Sequence, residues 1–149
     1  MSDPTFSVGG DPAAALGAEL ASWGRAGHTI VLTPSGATVP YPTQTSNYHY
    51  EMELVLVLGA PVFKVSPEAA AAAIWGYAAG LDMTRRDLQA AAKAAGKPWD
   101  TAKGFDQSAI LSDIVRVADV GRLDKGAITL AVNGVEKQRG DLADMIWSQ

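Results

Sequence analysis

At 149 residues and 15.5 kDa, with 48% hydrophobic and 19% charged residues, the chain has the composition of one ordinary globular domain. A formal charge of −4 argues against a nucleic-acid partner, which requires a basic face. The lack of cysteine removes disulfides, thiolate nucleophiles and cysteine-ligated zinc. No apolar run approaches the roughly 18 residues of a membrane span, and no charged segment leads into an apolar one as in a secretory signal, so a cytoplasmic protein is expected.

Residues 1–11 read as an irregular start. Asp11 as N-cap and Pro12 at the first helical position open an alanine-rich helix to about Trp23. Thr29–Thr33 reads as a short strand stopped by Pro34, and Ser35–Asn47, with its prolines and hydroxyl residues, as a loop. Tyr48–Leu58 is the strongest strand, followed by a shorter one at Val62–Lys64. Ser66 and Pro67 then start a helix expected to run through about Ala79, with Glu68 in its first turn. Gly80–Met83 interrupts it. Thr84, with Asp87 three residues on, restarts a helix to Ala95 that Gly96 ends and Pro98 seals. An irregular stretch from Lys103 to Ser112 and a strand over Ile114–Val117 lead to a hairpin, Ala127–Val132 with Val135–Gln138. Its Asn133-Gly134 is a type I′ turn signal. The apolar end, Met145–Gln149, reads as a chain that would continue into something packed.

The chemistry concentrates in three places. Side chains at i and i+2 of a strand share a face, so Glu51 and Glu53 place two carboxylates together on an otherwise apolar segment. Such a pair needs protonation, a cation or basic partners. With Asp82 added, it would form an all-oxygen site for Mg²⁺, Mn²⁺ or Ca²⁺. Taken alone, Glu-x-Glu more often marks a solvated strand face. Arg86 and Gln89 are three apart on a helix and share a face, offering a carboxylate-binding fork and an amide; in isolation a solvated helix explains them. Lys103, between Trp99 and Phe105, could hold an anion or polarise a carbonyl, or be a plain loop lysine. His49 points away from the glutamates by strand alternation and reads as structural.

Three of these segments, Tyr48-His49-Tyr50-Glu51-Met52-Glu53, Gly80-Leu81-Asp82-Met83-Thr84-Arg85-Arg86-Asp87-Leu88-Gln89 and Lys97-Pro98-Trp99-Asp100-Thr101-Ala102-Lys103-Gly104-Phe105, together with Val132-Asn133-Gly134 and Asp144-Met145-Ile146-Trp147-Ser148, resemble the fumarylacetoacetate hydrolase family, nearest its bacterial fumarylpyruvate and acylpyruvate hydrolases. The resemblance runs from about Thr38 to Gln149. It implies an α+β fold, a mixed β-sheet roll with peripheral helices, usually a homodimer or higher oligomer. It also implies Mg²⁺ or Mn²⁺ on Glu51, Glu53 and Asp82, substrate contacts from Arg86 and Gln89, and Lys103 as the active-site lysine. The implied reaction is hydrolysis of a C–C bond in a small 2,4-diketo acid to give pyruvate and a carboxylic acid, a step of aromatic catabolism.

The chain departs from that pattern in three respects. The family's Asn-Tyr-x-x-His segment, whose histidine helps activate water, has no counterpart, and His28 in Ala26-Gly27-His28-Thr29 receives no role. Val31-Leu32-Thr33-Pro34 stands where the family has Phe-x-Lys-Pro, and the family's Thr-Gly-Thr-Pro segment lies beyond the equivalent of Ser148. The expectation is a single partial domain over 1–149, divergent over 1–30 and incomplete at its C-terminal end, with exposed sheet edges that favour association. Two other readings stay open: a non-catalytic remnant that keeps the metal site and a dimerisation surface, and a decarboxylase or isomerase of related 2-oxo acids.

Overall fold

The computed structural model describes residues 32–149. The helix expected over Pro12–Trp23, His28 and most of the strand expected over Thr29–Thr33 lie outside these residues.

The strand-forming run after the loop divides in two: β2 (Tyr48–His49) and β3 (Met52–Leu58) follow β1 (Leu32–Pro34). The expected strand at Val62–Lys64 is absent. Lys64 has φ 52°, a left-handed conformation that cannot continue an extended chain. Ser66 caps α1 (Pro67–Ala72) as expected, its hydroxyl accepting from Ala69 N at 3.3 Å. The helix does not reach Ala79, however. Ile74–Asp82 forms β4, which pairs antiparallel with β3 along its length. The alanines favour helix only weakly, and burial against β3 overrides them. Ile74, Tyr77 and Ala78 are core residues. Gly76 and Gly80, which read as helix weakeners, admit close strand approach. A Cβ on Gly76 would lie 2.7 Å from Ile114 Cγ2 and 2.8 Å from the Val115 carbonyl, and one on Gly80 would lie 2.7 Å from Val55 Cγ2.

Thr84 caps no helix. It belongs to β5 (Thr84–Arg85), which pairs with β2, and it is fully buried. Helix α2 (Arg86–Ala94) follows, with Gly96 at φ 62° past its end. Then come α3 (Asp100–Lys103), β6 (Ala109–Leu111) inside the stretch expected to be irregular, β7 (Val115–Arg116) and the single turn α4 (Val117–Val120). The hairpin is β8 (Ala127–Val132) with β9 (Val135–Asp141). Asn133 and Gly134 both have positive φ, 52° and 77°, as a type I′ turn requires. A short 3₁₀ turn at Leu142–Asp144 ends the regular structure.

The main sheet runs β1-β6-β4-β3, with β7 also on β4. β1 and β6 are parallel and the other pairs antiparallel. This is the mixed α+β architecture expected. β4 pairs with β3, β6 and β7, and β3 is an edge strand. Large apolar side chains remain well exposed, among them Phe63 at 81%, between β3 and α1, and Ile146 at 92% and Trp147 at 85%, beyond the 3₁₀ turn. Among the described residues, no helix is long and apolar enough to cross a membrane.

Candidate metal centre

The pairing of β3 with β4 builds the site. Glu53 lies opposite Gly80, and one step beyond β3 Glu51 and Asp82 exchange backbone hydrogen bonds, Glu51 N to Asp82 O at 3.1 Å and Asp82 N to Glu51 O at 2.9 Å. Directly opposed residues of an antiparallel pair share a face. Glu51, Glu53 and Asp82 therefore project together, and one oxygen from each lies within 4.8 Å of the others. Gly80, without a side chain, lets Val55 of β3 and Leu111 of β6 close over the strand next to the site.

Two cations reach this cluster from neighbouring elements. Lys103, at the end of α3, donates to Glu51 Oε2 at 2.8 Å and to Asp82 Oδ2 at 2.6 Å. Arg86, the first residue of α2, donates through Nη2 to Glu51 Oε1 at 2.7 Å and through Nη1 to Gln89 Oε1 at 2.6 Å. The helical spacing that put Arg86 and Gln89 on one face thus lets Gln89 hold the guanidinium that reaches Glu51. α3 is anchored by fully buried Ala102, by the Arg85 guanidinium 4.2 Å over the Phe105 ring, and by Tyr48 edge-on to that ring. Asp87 does not complete a capping box. It receives Thr45 Oγ1 at 2.5 Å and Ser46 N at 2.9 Å, tying the loop before β2 to the start of α2. His49 stays out of the cluster, its Nε2 2.7 Å from Asn47 Oδ1.

The ionisation of these groups follows from their surroundings. Partial burial opposes charge on Glu51, but hydrogen bonds from Lys103 and Arg86 outweigh it, and its pKa falls below the ordinary glutamate value. Burial likewise opposes charge on Lys103, yet its bonds to Asp82 and Glu51 prevail and raise its pKa, so it is an ammonium at neutral pH. Glu53 differs. Although the most exposed of the three, it has no basic ion-pair partner among the described residues, and desolvation together with the Asp82 and Glu51 charges raises its pKa. Three carboxylates against two cations leave an excess negative charge centred near Glu53. A hard divalent ion, held entirely by oxygen, is the partner this donor set fits.

The fumarylacetoacetate (FAA) hydrolase C-terminal family matches residues 12–149. The chain belongs to this family. It is 54% identical over 117 residues to a fumarylpyruvate hydrolase of Ralstonia sp, covering 78% of this chain and 60% of that one. It is 40% identical over 106 residues to the oxaloacetate tautomerase YcgM of Escherichia coli K12, covering 70% and 48%. Among solved structures it resembles fumarylpyruvate hydrolase from Pseudomonas aeruginosa in complex with Mn²⁺ and pyruvate, with a TM-score of 0.73, 44% identity, and coverage of 79% and 52%. The chain spans about half the length of most relatives it matches.

Sequence reading located the cluster's members and missed the contact that braces it. Gln138 of β9 donates from Nε2 to Met52 O at 2.9 Å and accepts from Met52 N at 2.8 Å. A side-chain bond to backbone across 86 residues leaves no local signal.

Proposed function

We propose that Glu51, Glu53 and Asp82 form the Mg²⁺ or Mn²⁺ centre of a hydrolase that cleaves a C–C bond in a 2,4-diketo acid of the acylpyruvate type, fumarylpyruvate being the first candidate. The convergence of the three carboxylates, with one left short of positive charge, carries this reading. The Mn²⁺ and pyruvate bound by the Pseudomonas aeruginosa relative support it. When bound, the ion supplies Lewis-acid polarisation of substrate oxygens and stabilises negative charge developing on them. Lys103, kept protonated by Glu51 and Asp82, acts as a fixed positive charge toward the anionic substrate rather than as a base. Arg86 and Gln89 hold the substrate's carboxylate and carbonyl oxygens at the rim of the site. Arg86 meanwhile orients Glu51.

The decisive experiment follows the ultraviolet enol absorbance of fumarylpyruvate with and without Mg²⁺ or Mn²⁺. Metal-dependent loss of absorbance with release of pyruvate is expected. No turnover by folded protein shown to bind Mn²⁺ would refute the hydrolase reading. The oxaloacetate tautomerase among the relatives supports a second reading, proton transfer on a 2-oxo acid without bond cleavage. Metal-dependent interconversion of oxaloacetate enol and keto forms, with fumarylpyruvate left intact, would select it. Association with a second copy belongs to the same proposal, supported by the exposure of Phe63, Ile146 and Trp147. Light scattering that reads a monomer at all concentrations would refute it.

A further inference from the structure

In an antiparallel pair, alternate residues turn both backbone polar groups toward the partner strand and the residues between turn them away. Glu51 exchanges both its bonds with Asp82, so Met52 presents its N–H and C=O to the open edge of β3. Among the described residues, no strand pairs with that edge. The Gln138 amide occupies the place of one, accepting from Met52 N at 2.8 Å and donating to Met52 O at 2.9 Å. These two groups belong to the peptide units on either side of Met52. One joins it to Glu51 and the other joins it to Glu53. The amide therefore fixes the backbone planes from which both carboxylates hang.

A second observation shows that Gln138 is placed for this. The β8–β9 register slips between Leu130 and Ala131. Val132 faces Val135 and Ala131 faces Glu136, but Leu130 faces Gln138, leaving Lys137 unopposed. Without that bulge, Lys137 would stand opposite Leu130. Leu130 is a buried residue of the hairpin, so the slip turns Gln138 to the inner face and leaves Lys137 exposed. Bulges commonly re-aim a side chain in this way.

We infer that Gln138 is a positioning residue for the divalent-cation site, setting the separation and direction of Glu51 and Glu53 through the backbone of Met52. The inference rests on the metal reading proposed above. It also makes the β8–β9 hairpin, remote in sequence, part of the apparatus that determines cation affinity.

The test measures Mn²⁺ binding to the full chain by electron paramagnetic resonance, alongside amide hydrogen exchange at Met52. In Gln138→Met, which keeps the side chain's length and loses both bonds, affinity should fall ten- to a hundredfold, the usual effect of removing a group that orients metal ligands. Exchange at Met52 should accelerate while the folded fraction is unchanged. Gln138→Glu guards against a folding failure of the first variant. It keeps the acceptor for Met52 N but loses the donor. Its added negative charge should by itself tighten cation binding, so weaker binding isolates the positional effect. Lys137→Ala, on the exposed side of the bulge, should bind like wild type. Equal or tighter binding by both Gln138 variants, in a wild-type background that binds Mn²⁺, overturns this inference alone. A wild-type chain that binds no Mn²⁺ overturns the metal reading and this inference together.

Discussion

Glu53→Gln separates the stability of the carboxylate cluster from its proposed use. The oxygens of Glu51, Glu53 and Asp82 lie within 4.8 Å of one another, so each pair of full charges repels by about 3–4 kcal/mol at an effective dielectric near 20. Lys103 offsets part of this, and the exposure of Glu53 screens more, leaving about 1 kcal/mol to be recovered when its charge is removed. The variant should therefore be more stable than wild type in the presence of chelator. With Mn²⁺ at about a hundredfold excess over Kd, wild type should gain about 3 kcal/mol and the variant nearly none. The stability order reverses on adding metal. The pH dependence has a definite sign as well. The Glu53 pKa is raised in the folded state, so its favourable contribution is fully present below its ordinary value of 4.5 and is lost as pH rises through the raised one. In chelator, wild type should lose stability across that window relative to the variant. Denaturant titrations with and without Mn²⁺ measure all of this. A variant less stable than wild type without metal, or equally stabilised by Mn²⁺, would refute the reasoning.

Lys103→Met should abolish the proposed fumarylpyruvate hydrolysis and lower metal-free stability by about 1–2 kcal/mol, because it leaves Glu51 and Asp82 without their shared donor. The raised Lys103 pKa means that wild type loses this contribution only as pH climbs past 10.5 and through the raised value, so alkaline unfolding should converge for the two proteins. Asp87→Asn should free the loop carrying Thr45 and Ser46, seen as faster amide exchange at Ser46. Because those donors hold the Asp87 carboxyl down from 3.8 to about 2, wild type should lose its advantage over the variant as pH falls through that interval. Gly76→Ala should cost about 1–3 kcal/mol in denaturant unfolding, since its Cβ meets the Val115 carbonyl at 2.8 Å and β7 must shift. A neutral substitution there would show that β7 is loosely held.

Much of the site was legible because its logic is local. The alternation that puts Glu51 and Glu53 on one face, and the three-residue spacing that joins Arg86 to Gln89, are properties of a strand and a helix wherever they occur. The Asn133-Gly134 turn and the Ser66-Pro67 helix start were equally secure, since each depends on the dihedral or hydrogen-bonding habit of the residues named. β4 was not legible. Its alanines and glycines carry no strand pattern, and only the approach of β3 on one side and β6 and β7 on the other explains why a segment so small is extended. Misplacing it as helix also hid how Asp82 arrives: not at a helix junction but at the end of the strand that pairs with the glutamates.

By itself, then, the sequence determined which residue types are available, which of them share a local face, and the family resemblance that assigns them to one chemistry. The tertiary structure alone decided that Asp82 lies opposite Glu51, that Lys103 rather than a histidine bridges them, that Glu53 is the carboxylate short of positive charge, and that Gln138 braces the peptide units between the two glutamates. The reason is the same for each: a carboxylate's partners, and hence its charge, are set by long-range strand register, and register is fixed by burial and pairing across the sheet rather than by neighbours along the chain.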